Sequence, residues 1–403
     1  MEAARTAGRT RQPAGLSPKL TLEALVANAS TLSPARRWQW RRSHNRSPMS
    51  NEQLYRTASV LTRELTVHYP VSDGRIVLRT DADWNQDVDA VRVSDDGTAF
   101  TFRLQAKRPF LYFKPCLNVG DQTRWAVGAN SLALMTHEGT RDAYPFFAGA
   151  DTGTFSSVIE FDSTILGRRH ALRAYLPPGY HENTLKRYPV LFMQDGKNLF
   201  FPAEAFGGQD WGVANSLQLL DGMNAIDKVI VIGIHSGDRM AEYTKPGYET
   251  YGRSVVEEII PKASERLRLL GGRRETGVMG SSLGGVVWFY MAWQWPEVFG
   301  AAACMSSTFS HQDDLVDRVL AEPKGAAKFY LDSGWPGDNF ETTLAMAVAL
   351  QSRGYRFGQD FLHFAFPNEG HNEAAWGSRL HLPLQLFWGR ASVAQRDGQR
   401  PAI

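Results

Sequence analysis

The chain has 403 residues and a formal net charge of +2 at pH 7. Residues 1–46 carry nine lysines and arginines against two acids, a charge of +7, which leaves −5 on the rest of the chain and no basic excess there to bind nucleic acid. No apolar stretch is long enough to predict a membrane span or a secretion signal, and no metal-ligand spacing occurs.

The two cysteines, Cys116 and Cys304, fall in different predicted domains. We therefore expect no disulfide and predict a reducing, cytoplasmic compartment. The sequence contains no glycine-rich phosphate-binding loop, so no cofactor is expected. The oligomeric state stays open.

The first third of the chain predicts a basic tail followed by an all-β module. Residues 1–48 are rich in arginine and proline and poor in aromatic residues, which is typical of disorder. Short alternating apolar runs, separated by Asp-Gly turns, then predict a β-sandwich over residues 49–148. In this module Trp84 and Trp125 could stack on sugar rings, but we favour packing in the core or at a domain interface.

Residues 149–390 predict an α/β domain, followed by a flexible tail at 391–403. Four apolar runs predict its first strands: residues 154–161, 168–176, 188–194 and 228–234. The last two are continuously apolar, as in strands buried on both faces of a parallel sheet. Residues 211–220 predict a helix, and a later helix is expected to kink at Pro261. The alternation predicts a doubly wound, mostly parallel sheet.

A Gly-x-Ser-x-Gly motif at residues 280–284 lies between a strand-like and a helix-like apolar run. This context predicts a nucleophile elbow, in which glycines flank the serine because a Cβ would crowd the sharp turn. Only Ser282 fits, since centring the motif on Ser281 would place Met279 and Leu283 at the glycine positions. Ser282 is the predicted nucleophile.

A nucleophilic serine needs a histidine base, which in an α/β-hydrolase sheet follows the last strand. Among the 10 histidines, His311 follows Ser282 too closely, and His363 lies within the alternating, strand-like run over residues 359–366. His371 lies in the loop directly after that run. We therefore predict His371 as the base.

The acid comes between the serine and the histidine in the chain, just after the penultimate strand, which we place at residues 328–333. We predict Asp338, because the loop before it can carry a carboxylate to the C-terminal rim of the sheet. Asp332 at the strand end is one alternative. Glu341 is the other, although at the start of a helix a carboxylate has a stabilising role of its own.

An acyl-transfer serine also needs an oxyanion hole. One donor is predicted to be the backbone N–H of Leu283, directly after the nucleophile. The other is predicted to be the N–H of Gly196 or Lys197, in the turn after the third strand. The Asp-Gly pair at that turn is also favoured where no such function exists.

Five segments occur in order along the α/β domain: YPVLFMQDGKNLF (188–200), GIHSGDRMAEY (233–243), VMGSSLGG (278–285), PEVFG (296–300) and the pair Gly370-His371. They resemble the putative-esterase family of α/β-hydrolases, which includes enterochelin esterase, feruloyl and acetylxylan esterases, esterase D and the mycolyltransferases. The resemblance covers residues 154–390 and implies the same Ser, Asp and His. The acid loop departs most, because family members vary there in residue type and length.

The resemblance also implies that Arg239 and Tyr243 border the acyl or leaving-group pocket. A surface ion pair between Arg239 and Glu242 is the alternative. The β-module similarly resembles the immunoglobulin-like modules that precede the catalytic domain in enterochelin esterases.

These features predict a carboxylic ester hydrolase, a serine esterase acting on a glycan, siderophore or small acyl ester without a nucleic-acid or membrane partner. An acyltransferase on the same scaffold and a non-catalytic glycan-binding protein are the alternatives. Because residues 149–153 form a short connection, we also predict that the β-module borders the active site and selects the leaving group.

Overall fold

The computed structural model describes residues 55–137 and 141–389. The tails predicted at residues 1–48 and 391–403 lie outside this part of the chain. From Thr57 onward the described residues belong to one compact unit, which contains both the β-module and the α/β domain.

Short strands from residue 61 to residue 143 form the β-module. They are β1 (Leu61–His68), β2 (Arg75–Thr80), β3 (Asp83–Val88), β4 (Arg92–Val93), β5 (Ala99–Ala106), β6 (Phe110–Val119), β7 (Gln122–Trp125), β8 (Ser131–Leu134) and β9 (Arg141–Ala143). One sheet has the order β4-β5-β1-β9, and the other has β3-β2-β6-β7 with β8 also paired to β6. Leu65 and Phe102 of the first sheet and Leu78 and Phe113 of the second share one apolar core. Two sheets on a common core make a β-sandwich, whereas its immunoglobulin-like character stays a prediction.

The two tryptophans of the module do not belong to this core. Trp125 pairs in register with Cys116, a buried residue outside the shared core, so both lie on the outer face of the second sheet. The Trp84 ring centroid is 6.2 Å from that of Trp125, and the Arg79 guanidinium is 5.1 Å from the Trp125 ring centroid. Trp125 is 40% exposed. The expectation that both pack in the core was wrong, because strand alternation turns Trp125 outward.

The α/β domain is built on a second, larger sheet. Its strands are β10 (Thr154–Phe155), β11 (Ile159–Asp162), β12 (Arg169–Leu176), β13 (Val190–Met193), β14 (Ile230–Ile234), β15 (Thr276–Ser281), β16 (Ala301–Met305), β17 (Lys328–Trp335) and β18 (Phe361–Pro367). The order is β10-β12-β14-β13-β15-β16-β17-β18, with β11 also paired to β12. In this sheet order, the strands from β14 to β18, including β13, run parallel, and β12 runs antiparallel to β14.

The strand predicted over residues 154–161 is broken into β10 and β11, which both pair with β12. Between them the Ser156 hydroxyl accepts the backbone N–H of Ala174 at 3.0 Å. A side chain that replaces a backbone acceptor interrupts the ladder. The break therefore has a local, polar cause that apolar patterning does not reveal.

Helices cover both faces of this sheet. They are α1 (Val213–Gly222), α2 (Arg239–Tyr243), α3 (Gly247–Ser254), α4 (Ile260–Arg266), α5 (Leu283–Gln294), α6 (Leu315–Ala321), α7 (Phe340–Ser352), α8 (Glu373–Arg379) and α9 (His381–Trp388). Helices α2 to α7 contribute to one apolar layer, and α1, α8 and α9 to the other. This arrangement is the predicted doubly wound α/β architecture. Over the residues described, no helix combines the length and apolar character of a membrane span.

Pro261 lies in the first turn of α4, and the helical backbone continues without a break from α3 to α4. A π-helical segment, Val255–Ile259, joins α3 to α4 just before it. Proline lacks a backbone N–H and its ring crowds the carbonyl four residues earlier, so a wider turn before it relieves the helix.

Polar side chains of the α/β domain hold the β-module. The Glu182 carboxylate accepts the N–H groups of Phe147 and Ala148 at 2.7 and 2.8 Å and the Tyr69 hydroxyl at 2.9 Å. Two amides bridge in a similar way: Asn183 donates to the carbonyls of His68 and Pro145, and Asn224 contacts the N–H of Leu132 and the carbonyl of Asn130. Such polar contacts fix one domain orientation.

These contacts lie at one edge of the large sheet. Glu182 and Asn183 follow β12, which runs antiparallel to the parallel strands, and Asn224 precedes β14. The β-module therefore contacts the edge at which the parallel strands begin.

Candidate active site

Polar side chains collect at the opposite edge, where the parallel strands end. Asp195, Ser236, Ser282, Ser306, Asp338 and His371 follow β13, β14, β15, β16, β17 and β18 respectively. The C-terminal ends of neighbouring parallel strands meet at one edge, which is where ligands bind in such sheets.

Ser282 lies on a strained turn between β15 and α5. Its φ is 55° and its ψ is −128°, and its N–H donates to the carbonyl of Met305 at 2.9 Å. A non-glycine residue in this conformation costs about 1–3 kcal/mol. A Cβ on Gly280 would lie 2.7 Å from the backbone of Gly284, so the glycines are needed for the close approach. Ser281 instead ends the buried strand β15.

Asp338 is the carboxylate that contacts His371. Its Oδ1 lies 2.7 Å from Nδ1 of His371 and accepts the N–H of Asn339 at 2.8 Å, while its Oδ2 accepts the N–H of Gly334 at 2.6 Å and the Ser306 hydroxyl at 2.5 Å. Burial alone would raise the pKa of Asp338, but the hydrogen bonds from His371, Ser306 and the two backbone groups lower it to about 2. The carboxylate is therefore ionised at neutral pH.

The two alternative acids lie elsewhere. Asp332 forms an ion pair with Arg379 at 3.1 Å and accepts the Tyr330 hydroxyl at 2.8 Å. Burial raises the pKa of Asp332 to about 6, against the attraction of Arg379. Glu341 is exposed in the first turn of α7.

Ser282 and His371 line the same cavity, which has a volume of about 540 Å³. Its other lining residues are Asp195, Lys197, Asn198, Glu204, Ala205, Phe206, Trp211, Ser236, Arg239, Ser281, Glu373 and Trp376. The Trp376 ring packs edge-on against His371, with centroids 5.0 Å apart. The His371 side chain is 34% exposed, so solvent reaches it.

The residues predicted for the oxyanion hole lie on two helical starts. Leu283 begins α5, and Gly196 begins the short 3-10 turn Gly196–Asn198. First N–H groups of helical turns have no acceptor within the turn. Lys197 lines the cavity, whereas Gly196 is buried with its Cα against Gly233, where a Cβ would lie 2.6 Å from the backbone.

Arg239 lines the cavity, as the resemblance implied, but the ion pair weighed as its alternative does not form. Arg239 pairs with Asp195 at 2.9 Å, whereas Glu242 pairs with Arg168. Burial raises the pKa of Asp195, and Arg239 acts in the opposite direction. The alternative, a pair with Glu242, was wrong because these two side chains of α2 have different partners.

Tyr243 does not border the cavity. It is fully buried, and its hydroxyl donates to Oε1 of Gln194 at 2.9 Å. Tyr251 donates to the same oxygen at 3.0 Å. The implied pocket role of Tyr243 was therefore wrong: it packs beneath the site and supports the segment that leads into Asp195.

Residues 163–382, more than half of the chain, match the Putative esterase family. The chain belongs to this family. Membership confirms the resemblance found in the sequence motifs and supports the predicted enzyme class, a carboxylic ester hydrolase. Among curated proteins, the uncharacterized protein YbbA of Bacillus subtilis is 23% identical over 179 residues, and the match covers 40% of this chain and 66% of YbbA. The chain thus spans slightly less than two thirds of that relative.

Solved structures show the same fold at low identity. The enterobactin esterase of Shigella flexneri, solved with enterobactin, is 14% identical with a TM-score of 0.50, and the match covers 82% of this family member and 94% of that protein. A ferulic acid esterase is 18% identical with a TM-score of 0.50, covering 59% and 98%. The first match covers more of the chain than the α/β domain occupies, so the fold likeness extends into the β-module.

Sequence reasoning missed the residues behind the candidate active site of this family member. Ser306 and Arg379 form a buried cluster with Asp332 and Asp338. The position of Ser306 directly after β16, between the strands that carry Ser282 and Asp338, was a usable signal. No signal in the sequence pointed to Arg379, because a helical pattern does not show that a cation on it is buried.

None of the described residues of the β-module lines the cavity. The module contacts the edge where the parallel strands begin, and the cavity lies where they end. The prediction that the module borders the active site is therefore wrong for its described residues, because a short linker brings the module close to the domain but does not determine which edge it contacts. Among the described residues, no group of three or more His, Cys, Asp or Glu could hold a metal ion.

Proposed function

We propose that the protein is a serine esterase that cleaves carboxylic esters through an acyl-enzyme. The observation that carries the proposal is the 2.7 Å contact between Asp338 and Nδ1 of His371, in the same cavity as Ser282 on its strained turn. A carboxylate at Nδ1 leaves Nε2 free to act as the base.

The first step forms the acyl-enzyme. Ser282 Oγ attacks the ester carbonyl while Nε2 of His371 takes its proton, and Asp338 stabilises the resulting imidazolium. The N–H groups of Leu283 and of the Gly196–Lys197 turn are proposed to hold the oxyanion. Nε2 then returns the proton to the departing alcohol as the C–O bond breaks.

In the second step, water attacks the acyl carbonyl while His371 takes a proton from that water. The bond between the acyl group and Ser282 Oγ then breaks, Oγ receives the proton from His371, and the carboxylic acid is released. The one-third exposure of His371 supports water as the acceptor, since a transferase gains from excluding it. The Ser, His and Asp arrangement supports catalysis rather than glycan binding alone.

The lining supports an ester with a flat acyl or alcohol part. Trp211 and Trp376 present buried aromatic surface to the cavity, and Phe206 is 81% exposed at its rim. The two structural neighbours are named for enterobactin and ferulic acid. We therefore favour a siderophore or an aromatic acyl ester, including one attached to a glycan, over a simple aliphatic ester.

Both cysteines are buried and free. Burial raises the pKa of the Cys116 thiol to about 11 and that of Cys304 well above its usual value. These inert thiols support the proposal of a reducing, cytoplasmic compartment.

Replacing the nucleophile tests the proposal. Hydrolysis of p-nitrophenyl acetate by Ser282→Ala should fall by about 10⁴-fold or more while the melting temperature is retained. A fluorophosphonate should label wild type at Ser282, as mapped by mass spectrometry, and Ser281→Ala serves as the matched control. Residual activity above roughly one-hundredth of wild type, or an adduct on Ser281, would contradict the assignment.

A further inference from the structure

Ser306 lies behind the candidate acid and makes three contacts through one hydroxyl. Its Oγ donates a hydrogen bond to Oδ2 of Asp338 at 2.5 Å. The same oxygen accepts hydrogen bonds from Nη2 of Arg379 at 2.7 Å and from Nε1 of Trp376 at 3.0 Å. We propose that Ser306 is a positioning residue, which Arg379 and Trp376 force to donate to Asp338 so that this carboxylate keeps its orientation toward His371. The inference rests on the proposed esterase function.

The direction of these bonds follows from the donors involved. A guanidinium and an indole N–H can only donate. Together they occupy both lone pairs of Oγ, so the single hydroxyl proton has no other place than Asp338. A hydroxyl polarised by a cation is also a stronger donor to a carboxylate. Ser306 thus keeps Oδ2 occupied, which leaves Oδ1 for His371.

The backbone of Ser306 ties the acid loop to the sheet. Its N–H donates to the carbonyl of Asp332 at 2.7 Å, and its carbonyl accepts Nδ2 of Asn339 at 2.8 Å. Ser306 itself has a φ of 44°, unusual for serine, and is fully buried. The residue therefore holds the segment on both sides of Asp338, without access for water to substitute for the hydroxyl.

The charges of Arg379, Asp332 and Asp338 favour transfer of a proton to His371. Arg379 lies 3.1 Å from Asp332 and 3.8 Å from Asp338, and the side chains of both acids are fully buried. With both acids ionised, one guanidinium faces two carboxylates, so the cluster carries one net negative charge. Formation of the His371 imidazolium neutralises that charge, which favours the transition state over the resting state.

The test compares two neighbouring buried serines. Ser306→Ala removes the donor to Asp338, whereas Ser307→Ala removes a hydroxyl that has no hydrogen-bond partner within the described chain. Ser306→Ala should lower kcat by about 10- to 100-fold, the scale typical of groups that orient a reacting side chain, with KM little changed. It should also shift the low-field proton resonance of His371 Nδ1–H. Ser307→Ala should leave kcat and the resonance unchanged.

A purely structural role would lower the melting temperature of Ser306→Ala without moving the resonance. That result, or a kcat within twofold of wild type, would overturn the inference. If Ser306→Ala does not fold, Trp376→Phe removes the indole N–H together with part of the ring, and it keeps a smaller aromatic ring at this position. It should move the same resonance and lower kcat by a smaller factor, and an unmoved resonance would overturn the inference. Wild type inactive on every ester would instead refute the proposed function.

Discussion

Asp332 and Asp338 are close in sequence, yet their surroundings shift their pKa values in opposite directions. Burial dominates at Asp332 and raises its pKa to about 6. At Asp338 the same penalty is outweighed by hydrogen bonds from His371, Ser306 and backbone N–H groups, which lower the pKa to about 2. A carboxylate that stays ionised at every working pH suits the role of orienting an imidazolium.

We predict that Asp338→Asn lowers kcat by about four orders of magnitude, because an amide favours the wrong imidazole tautomer. Asp332→Asn should reduce kcat far less, and kinetics on p-nitrophenyl acetate separates the two variants.

Asp338→Asn should also change how the free energy of unfolding depends on pH. The lowered pKa of Asp338 stabilises the fold above about pH 4, and this contribution is lost as the pH falls toward 2.

Chemical unfolding at several pH values between 4 and 2 should thus show a shallower loss of unfolding free energy for Asp338→Asn than for wild type. If Asp332→Asn proved the more damaging to kcat, the acid would lie on the strand rather than in the loop.

At the scale of elements, the 3-10 turn Gly196–Asn198 depends on its contact with β14. Gly196 packs on Gly233, and the carboxylate of Asp195 lies beside Gly284 at the start of α5, a favourable place for a negative charge. Arg239 holds that carboxylate from the cavity side. The turn and helix α5 are therefore fixed to each other.

We predict that Gly196→Ala displaces this turn, because the new Cβ would lie 2.6 Å from the backbone of Gly233. Misplacing an oxyanion donor should lower kcat by about 10- to 100-fold. Gly222→Ala is the matched control, since a Cβ there meets nothing within 4 Å and α1 tolerates alanine. If Gly196→Ala and Gly222→Ala had equal kcat values, the prediction that this turn supplies an oxyanion donor would be wrong.

Elements and their order follow from the sequence because apolar runs of buried parallel strands are continuous and the elbow glycines are sterically required. Ser282, Asp338 and His371 could be chosen from the elbow motif, the chain order and the loops that follow the predicted strands, and the structure brings Asp338 against His371. Tyr243 and Arg239 share one motif, but a motif does not say which side chain faces a cavity and which faces the core. The Ser306 and Arg379 cluster depends on contacts between elements far apart in the chain.

At the scale of the whole molecule, the β-module and the candidate active-site cavity lie at opposite edges of one sheet. Changes at the contact between the module and the domain should therefore alter stability without altering substrate preference. Glu182 is the side chain to test, since its carboxylate accepts two backbone N–H groups and the Tyr69 hydroxyl.

We predict that Glu182→Ala lowers the unfolding free energy by about 1–3 kcal/mol, because the donors lose a charged acceptor. Relative kcat/KM values across small and bulky esters should stay the same. Glu160→Ala controls for loss of a surface charge, since Glu160 is 54% exposed and lies 3.7 Å from Arg169. A changed preference among esters would show that the two edges are coupled.

The separation of the two edges means that the protein can be attached on one side without covering the cavity. A support, a fused partner or an antibody could bind the outer face of the second sheet of the β-module, where Trp125 is exposed. The cavity would then face the solution, and large esters could still enter. Immobilisation through this module is accordingly expected to preserve turnover, whereas attachment through Lys197 would obstruct the entrance.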